Sequence, residues 1–351
     1  MHDCNDDVVA YHDDEVTLPQ KERTAMRDRR NANRDRLKKG LKEAKKPSVK
    51  EFASQGSYAL KNMTQHPDND WDIDDGVYFD KDDLVGPKGG EMSSLDARQM
   101  VRDAVDDGSF KTKPEVRQNC VRIFYDAGFN VDQPVYRRIS KKDANGNDAF
   151  DFELASADWK RSDARDVTAW FETENERQSP DDTNGRQLRR HTRYLKKFAR
   201  SRSSWEDRIL SGFGITKLVT ELFRGHATRE DESIYNTMVA IRDRLNVNLV
   251  INHPVTRNET ITDGTNDAKA RFFRDKLTEA IDALKPTLEA NCTRSTALAC
   301  WDRVFNTDFF SKRDKSEAKE AAAAAVSAGI LKDTAARIDR PVYKDGGGRY
   351  A

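Results

Sequence analysis

The rhythm of apolar and polar positions changes along the chain, and each change predicts a different kind of element. Residues 21–46 are dense in Arg, Lys, Ala and Glu, with only Met26, Leu37 and Leu41 as large apolar positions. That spacing predicts one long helix with a narrow apolar stripe, ended by Pro47. In residues 71–79, Ile73, Val77, Tyr78 and Phe79 interleave with aspartates, which predicts a half-buried strand. A Pro-Lys-Gly-Gly loop at residues 87–90 follows, then helices over 94–105 and 114–127, the second opened by a proline in its first turn. After Gly128, FNVDQPVYRRI reads as a strand, KKDANGNDA as a turn centred on Asn145-Gly146, and FDFELAS as the returning strand.

From Ser162 onward the apolar residues fall three or four apart in DVTAWFETEN, RQLRRHTRYLKKFARSR, ILSGFGITKLVTELF, ESIYNTMVAIRDRL, KARFFRDKLTEAIDAL and ALACWDRVF. The expected architecture is therefore α+β: a small α/β lobe followed by an α-helical lobe. Four regions are expected: residues 1–50 (an N-terminal region and spine helix), 51–165 (the α/β core), 166–310 (the helical lobe) and 311–351 (an Ala-rich segment and a flexible tail, RPVYKDGGGRYA).

Composition narrows the function classes. Of 351 residues 36% are hydrophobic, but sixteen Phe, nine Tyr and five Trp suffice for a core. The mean hydropathy is −0.89, that of a charged globular protein. Lys+Arg and Asp+Glu both total 61, so no overall basic field exists to hold long nucleic acid by counterion release. Cys4, Cys120, Cys292 and Cys300 form no Cys-x-x-Cys pair and read as reduced thiols. The acidic start MHDCNDDVVAYHDDE is no secretory signal, and AAAAAVSAGIL is too short and alanine-rich to cross a bilayer. A cytoplasmic location, away from membranes, is the expectation. His66, His191, His226 and His253 stand singly, without metal-site spacing, and read as surface or capping residues.

The chemistry concentrates in the acidic strand. Asp72 and Asp74 are two apart, so both project from one face of an extended segment, while Asp75 points the other way. Like charges so close raise one another's pKa and gain little without a cation between them; a divalent metal is the simplest. A calcium loop built on Asp70, Asp72 and Asp74 fails in detail, because Asp75 stands where the sharp turn needs glycine and Lys81 where the bidentate glutamate belongs. A merely solvated acidic turn is the other rival. Upstream, Gln55-Gly56-Ser57 offers a turn whose N–H groups and hydroxyl suit a phosphate chain. Downstream lies a third acid, Asp132. Three carboxylates from neighbouring strands can hold two magnesium ions about 3.5–4 Å apart, the arrangement of nucleotidyl transfer.

Gly56-Ser57, Asp72-Ile-Asp74 and Asp132 resemble the pattern of the polymerase-β-like nucleotidyltransferases. QGSYAL, DIDDGVYF, CVRIFYDAGFNVDQPVYR, SDARDVTAWF, RYLKKF and VINHPVTRNETITD look like one branch, the bacterial cyclic-GMP-AMP-synthase-like enzymes of anti-phage (CBASS) signalling operons, the DncV-like CD-NTases. The likeness runs from about residue 20 to 310. It implies a polymerase-β-like nucleotidyltransferase lobe with a small mixed sheet, in which Asp72 and Asp74 bind two Mg²⁺ ions, with Mn²⁺ as a substitute. Asp132 would complete the site and help deprotonate the acceptor hydroxyl. By the same resemblance Gln55, Gly56, Ser57, Lys196 and Ser211 would meet the donor phosphates, with Lys197 as a rival to Lys196, and Ser162-Asp163 would meet a nucleobase. Ser-Asp before a helix is also an ordinary N-cap. Gln133 departs from the apolar residue expected after the third acid, and Asp151 and Glu153 share a strand face and compete with Asp132, which the Asp-x-Pro-x-Tyr wording favours.

The expected activity is template-independent synthesis of a cyclic oligonucleotide, of cyclic-GMP-AMP type, from ATP and GTP or other nucleoside triphosphates, without an obligatory nucleic-acid activator. Alternatives are an RNA-extending or linear-oligonucleotide nucleotidyltransferase, and a non-enzymatic helical adaptor with a solvated or calcium-binding acidic loop. The ending GGGRYA would be accessible to an operon-encoded conjugation system acting at Ala351, as in some operons of the resembled family.

Overall fold

The computed structural model describes residues 1–66, 71–126 and 128–315; the expectations for Asp70, the alanine run and the tail to Ala351 lie outside the described residues. Its centre is strand β2 (Asp72–Asp80) in a mixed eight-stranded sheet. One edge of β2 pairs antiparallel with β1 (Glu51–Gln55), which leads directly into a single helical turn, α3 (Gly56–Ala59). The other edge pairs in parallel with β5 (Asn130–Gln133) and then β6 (Val135–Lys142), Asp74 opposite Asp132 and Val77 opposite Val135. The segment read from sequence as one strand is thus two, parted only at Pro134, whose carbonyl still accepts from Val77 N at 2.8 Å. Beyond β5 lie β4 (Val121–Phe124) and β3 (Glu115–Val116); beyond β6 lie β7 (Asp148–Ala155) and β8 (Trp159–Arg161). The β6–β7 hairpin turns at Gly146 as expected.

Two helices cover one face of the sheet. They are α2 (Gln20–Glu43), the spine helix read from the sequence, and α4 (Ser94–Val105). Met26, Leu37 and Leu41 of α2 are all buried against Ile73, Val77 and Phe79 of β2, each contributing roughly 1.5–3 kcal/mol relative to exposure. The axes approach so closely that a Cβ on Gly40 would meet the Ala104 carbonyl oxygen at 2.0 Å. On β2 the helix-covered face holds Ile73, Asp75 and Val77; Asp72 and Asp74 look out from the other.

The helices α1 (Asn5–Tyr11), α5 (Ala164–Gln178), α6 (Gln187–Ala199), α7 (Gly212–Leu222), α8 (Glu230–Val247), α9 (Ala268–Leu284) and α10 (Arg294–Phe305) make up the remainder. A second hydrophobic cluster joins α1 and α6 to α10 through Phe198, Leu218, Ile241, Phe273 and Trp301.

Two expectations are corrected here. The helix expected over 114–127 is not formed across its described part, 114–126: β3 and β4 form a hairpin closed by Arg117 N donating to Cys120 O at 2.8 Å. The strand alternation of buried Val121 and Ile123 with Arg122 and Phe124 outweighs the helical signal of Pro114. Histidines are also not all peripheral, for His12 and His191 are fully buried. His226 and His253 hold local turns rather than helix ends, their Nδ1 atoms accepting from Arg229 N and Thr256 N. The four cysteines are free, and among the described residues no helix is long and apolar enough to cross a membrane.

Candidate active site

The parallel register of β2 and β5 sets the acids side by side. Asp74 and Asp132 are direct partners, and Asp72 lies opposite Asn130, whose Nδ2 donates to its Oδ1 at 3.1 Å. Asp75, on the far face, is buried and takes both prongs of the Arg34 guanidinium, so the alternation separates a structural acid from the two that face outward. The competing acids lie elsewhere: Asp151 pairs with Lys141 at 2.6 Å and Glu153 with Arg137 at 2.6 Å.

Asp74 forms no such ion pair among the described residues. Burial, then repulsion from Asp132 and Asp72, pushes its carboxyl up to about 7, with Arg122 and Lys196 only partly offsetting. Arg122, directly opposite Asp132 on β4, donates through Nε to Oδ1 at 2.8 Å and through Nη2 to Oδ2 at 2.7 Å, while Nη2 also reaches Asp72 Oδ2 at 3.5 Å. Among the described residues no three His, Cys, Asp or Glu side chains are gathered closely enough to hold a metal as they stand. The donor chemistry nonetheless suits a hard divalent cation, since all three acids offer carboxylate oxygens and the positive charges near Asp74 only partly offset its burial and repulsion.

The Gly-Ser turn meets these acids atom against atom. Gly56 has φ +60°, and a Cβ there would lie 2.0 Å from Asp74 Oδ2, so both conformation and contact demand glycine. Opposite stands α6, from which Lys196 Nζ donates to Ser57 Oγ at 2.8 Å and to the backbone and side-chain oxygens of Asn62 at 3.0 and 3.1 Å. Burial, with repulsion from Arg200 and Arg193, lowers the Lys196 ammonium to about 7. Lys197 instead donates to Gln65 O at 3.3 Å. Ser57, Asp72, Asp74, Lys196 and Ser211 all line one cavity of about 450 Å³. Ser211 caps α7, its Oγ accepting from Gly214 N at 3.2 Å.

Other expected residues sit nearby in different roles. The Gln55 amide is buried, donating to Tyr78 OH at 3.2 Å and accepting from Tyr136 OH at 3.1 Å. Ser162 and Asp163 line a second cavity of about 240 Å³ with Gly56, Asp74, Phe213 and His253. Asp163 is also the N-cap of α5, accepting from Arg165 N at 3.1 Å, and ion-pairs with the Arg165 guanidinium at 2.9 Å. A third cavity, about 430 Å³, is lined by Asp74, Asp132, Arg117 and Arg122. Sequence reasoning missed Arg122, Asn62 and Asn130. Arg122 would have emerged had residues 121–124 been read as a strand, since it is then the cross-strand partner of Asp132.

Residues 50–136 match the family model described as "Cyclic GMP-AMP synthase DncV-like, nucleotidyltransferase domain". Several solved structures share the fold. Escherichia coli DncV bound to 3′-deoxy GTP superposes with a TM-score of 0.64 at 14% identity, covering 83% of this chain and 92% of that one. Vibrio cholerae DncV with GTP gives 0.65 at 16% identity, covering 83% and 91%. The Vibrio enzyme holding the linear intermediate 5′ pppA(3′,5′)pG gives 0.64 at 16%, with the same coverage. The α+β fold and the domain built around β2 define a nucleotidyltransferase. More particularly, residues 50–136 match a DncV-like nucleotidyltransferase domain; enzymes with that domain are generally dependent on a divalent metal.

Proposed function

We propose that the protein joins two nucleoside triphosphates, ATP and GTP, into a cyclic dinucleotide of GMP-AMP type without a template, in the cytoplasm, as a signal in anti-phage defence. The observation that carries this reading is the meeting, across one cleft, of Asp72 and Asp74 with the uncompensated Lys196 bonded to Ser57. One side of that cleft calls for cations and the other for anions, which is what a metal-chelated triphosphate supplies. Asp72, Asp74 and Asp132 would hold two Mg²⁺ ions, which when bound lower the pKa of the attacking hydroxyl and brace the triphosphate. Ser57, Lys196 and Ser211 orient the donor's phosphates, and Lys196 takes up the charge that develops on departing pyrophosphate. Asp132 accepts the proton of the acceptor ribose hydroxyl. The cavity beside Ser162 and Asp163 takes a nucleobase, so a linear intermediate turned end for end presents its second hydroxyl to the same acids.

The deciding experiment incubates the protein with Mg²⁺ and labelled ATP, GTP, CTP and UTP, alone and in pairs. A low-mass, phosphatase-resistant product that disappears in Asp72→Ala/Asp74→Ala is expected. Extension of an added RNA, or phosphatase-sensitive oligomers, would replace this reading with the linear nucleotidyltransferase. No turnover by the parent protein would leave only a binding role. Conjugation at Ala351 is a separate proposal, checked by mass spectrometry for an isopeptide at the terminal residue.

A further inference from the structure

The carboxylate site is closed by an arginine. Both oxygens of Asp132 are engaged by the two prongs of Arg122, at 2.8 and 2.7 Å, and the same guanidinium reaches Asp72 at 3.5 Å. A two-pronged arginine satisfies a carboxylate in its own plane, where a metal would also have to approach, and it places a positive charge beside any incoming cation. The cross-strand position of Arg122 opposite Asp132 fixes this pairing in the sheet. Its side chain retains 29% exposure and lines the 430 Å³ cavity, so it has room to withdraw.

We propose that Arg122 is a latch and positioning residue. In the ligand-free protein it takes the place of a divalent cation at Asp132, keeps the like-charged acids together, and lowers the affinity of free metal for the site. Metal loading requires it to swing off Asp132 into the adjoining cavity. Metal would then enter best with the nucleotide, whose phosphates supply the negative charge that outcompetes the latch. This inference rests on the nucleotidyl-transfer reading of the three acids.

The test is Mn²⁺ binding, followed by electron paramagnetic resonance and calorimetry on nucleotide-free protein. Arg122→Gln should bind Mn²⁺ roughly tenfold more tightly than the parent, equivalent to about 1.4 kcal/mol. Arg122→Lys, which keeps the charge but loses the fork, should fall between. The rise in Tm on adding Mn²⁺ should also be larger in Arg122→Gln. Equal or weaker Mn²⁺ binding in Arg122→Gln would overturn the latch, because Arg122 would then merely support Asp132. Should Arg122→Gln fail to fold, NMR of the parent protein decides. The Arg122 Nε–H signal, assigned by its loss in Arg122→Lys, should lose solvent protection on adding Mg²⁺ together with a nucleoside triphosphate, and a signal unmoved by the pair would overturn the proposal. Parent protein that makes a nucleotide product while the variants show unchanged Mn²⁺ affinity removes the latch alone. Parent protein that neither binds Mn²⁺ nor turns over nucleotides removes both readings.

Discussion

The two ends of α6 handle buried positive charge in opposite ways. Near its start Arg190 donates to Glu230 at 2.9 and 2.8 Å and to Asp181 at 2.6 Å. Burial works against its charge, but these two carboxylates outweigh it and hold the guanidinium more firmly protonated than usual. Less than two turns on, Lys196 is just as enclosed, but among the described residues it bonds to Ser57 and Asn62, neutral groups, with Asp74 acting on its charge only from a distance. A structural ion is completed within the protein; an ion kept for a ligand is left incomplete, and its displaced pKa is the trace of that. Asp75 and Asp74 repeat the contrast on β2, the first answered by Arg34 and the second pushed up to about 7 by burial and its neighbours.

Breaking the incomplete side should cost activity and spare the fold. Asp74→Asn is expected to lower kcat/KM for dinucleotide formation by on the order of a thousandfold, while its urea midpoint equals or exceeds the parent's because a repelled charge is gone. A midpoint well below the parent's would mean that Asp74 is structural. The complete side should respond in reverse. Glu230→Gln takes from Arg190 the more buried of its two carboxylates, leaving Asp181, and is expected to cost about 3 kcal/mol in equilibrium unfolding, with turnover per folded molecule largely retained.

Lys196→Met sharpens the comparison on one helix. A loss of roughly a hundredfold in kcat/KM is expected, together with a changed pH dependence of stability. The folded ammonium titrates near 7, below its ordinary value of 10.5. Between those values the unfolded chain binds more protons, so this group makes the parent gain stability as pH rises from 7 toward 10.5. Unfolding at pH 7 and pH 9 should show that gain diminished in the variant. The smallest effect belongs to His191, fully buried and lowered by burial to about 4 from 6.5. Its contribution is intact above pH 6.5 and is lost as pH falls toward 4, by on the order of 2–3 kcal/mol; His191→Phe should flatten that part of an acid-unfolding curve.

Much of the site was legible because a strand has a period of two. That period alone assigns Asp72 and Asp74 to one face and Asp75 to the other, and Gly56-Ser57 reads as a turn from its residue types alone. The single register through Pro134, which sets Asp132 beside Asp74, depends on pairing between strands 58 residues apart, and no local pattern encodes it. Lys196 could be separated from Lys197 only once the inward face of α6 was known. Arg122 stayed hidden behind the helical reading of residues 114–127. The opening residues, read from sequence only as too polar for a leader, in fact bury Val8 and Tyr11, and Asp7 pairs with Arg294 at 2.7 Å and Arg313 at 3.0 Å. That anchoring comes from residues 287 and 306 positions away and leaves no trace in the segment itself.

Val16 belongs to the hydrophobic cluster of the helices and Leu18 to that of the sheet. Only Thr17 separates them, itself bridged to Thr64 in the approach to the cleft. A tether one residue long leaves little slack, so neither half can drift or melt far without dragging the other. Thermal denaturation should therefore trace one sigmoid rather than two.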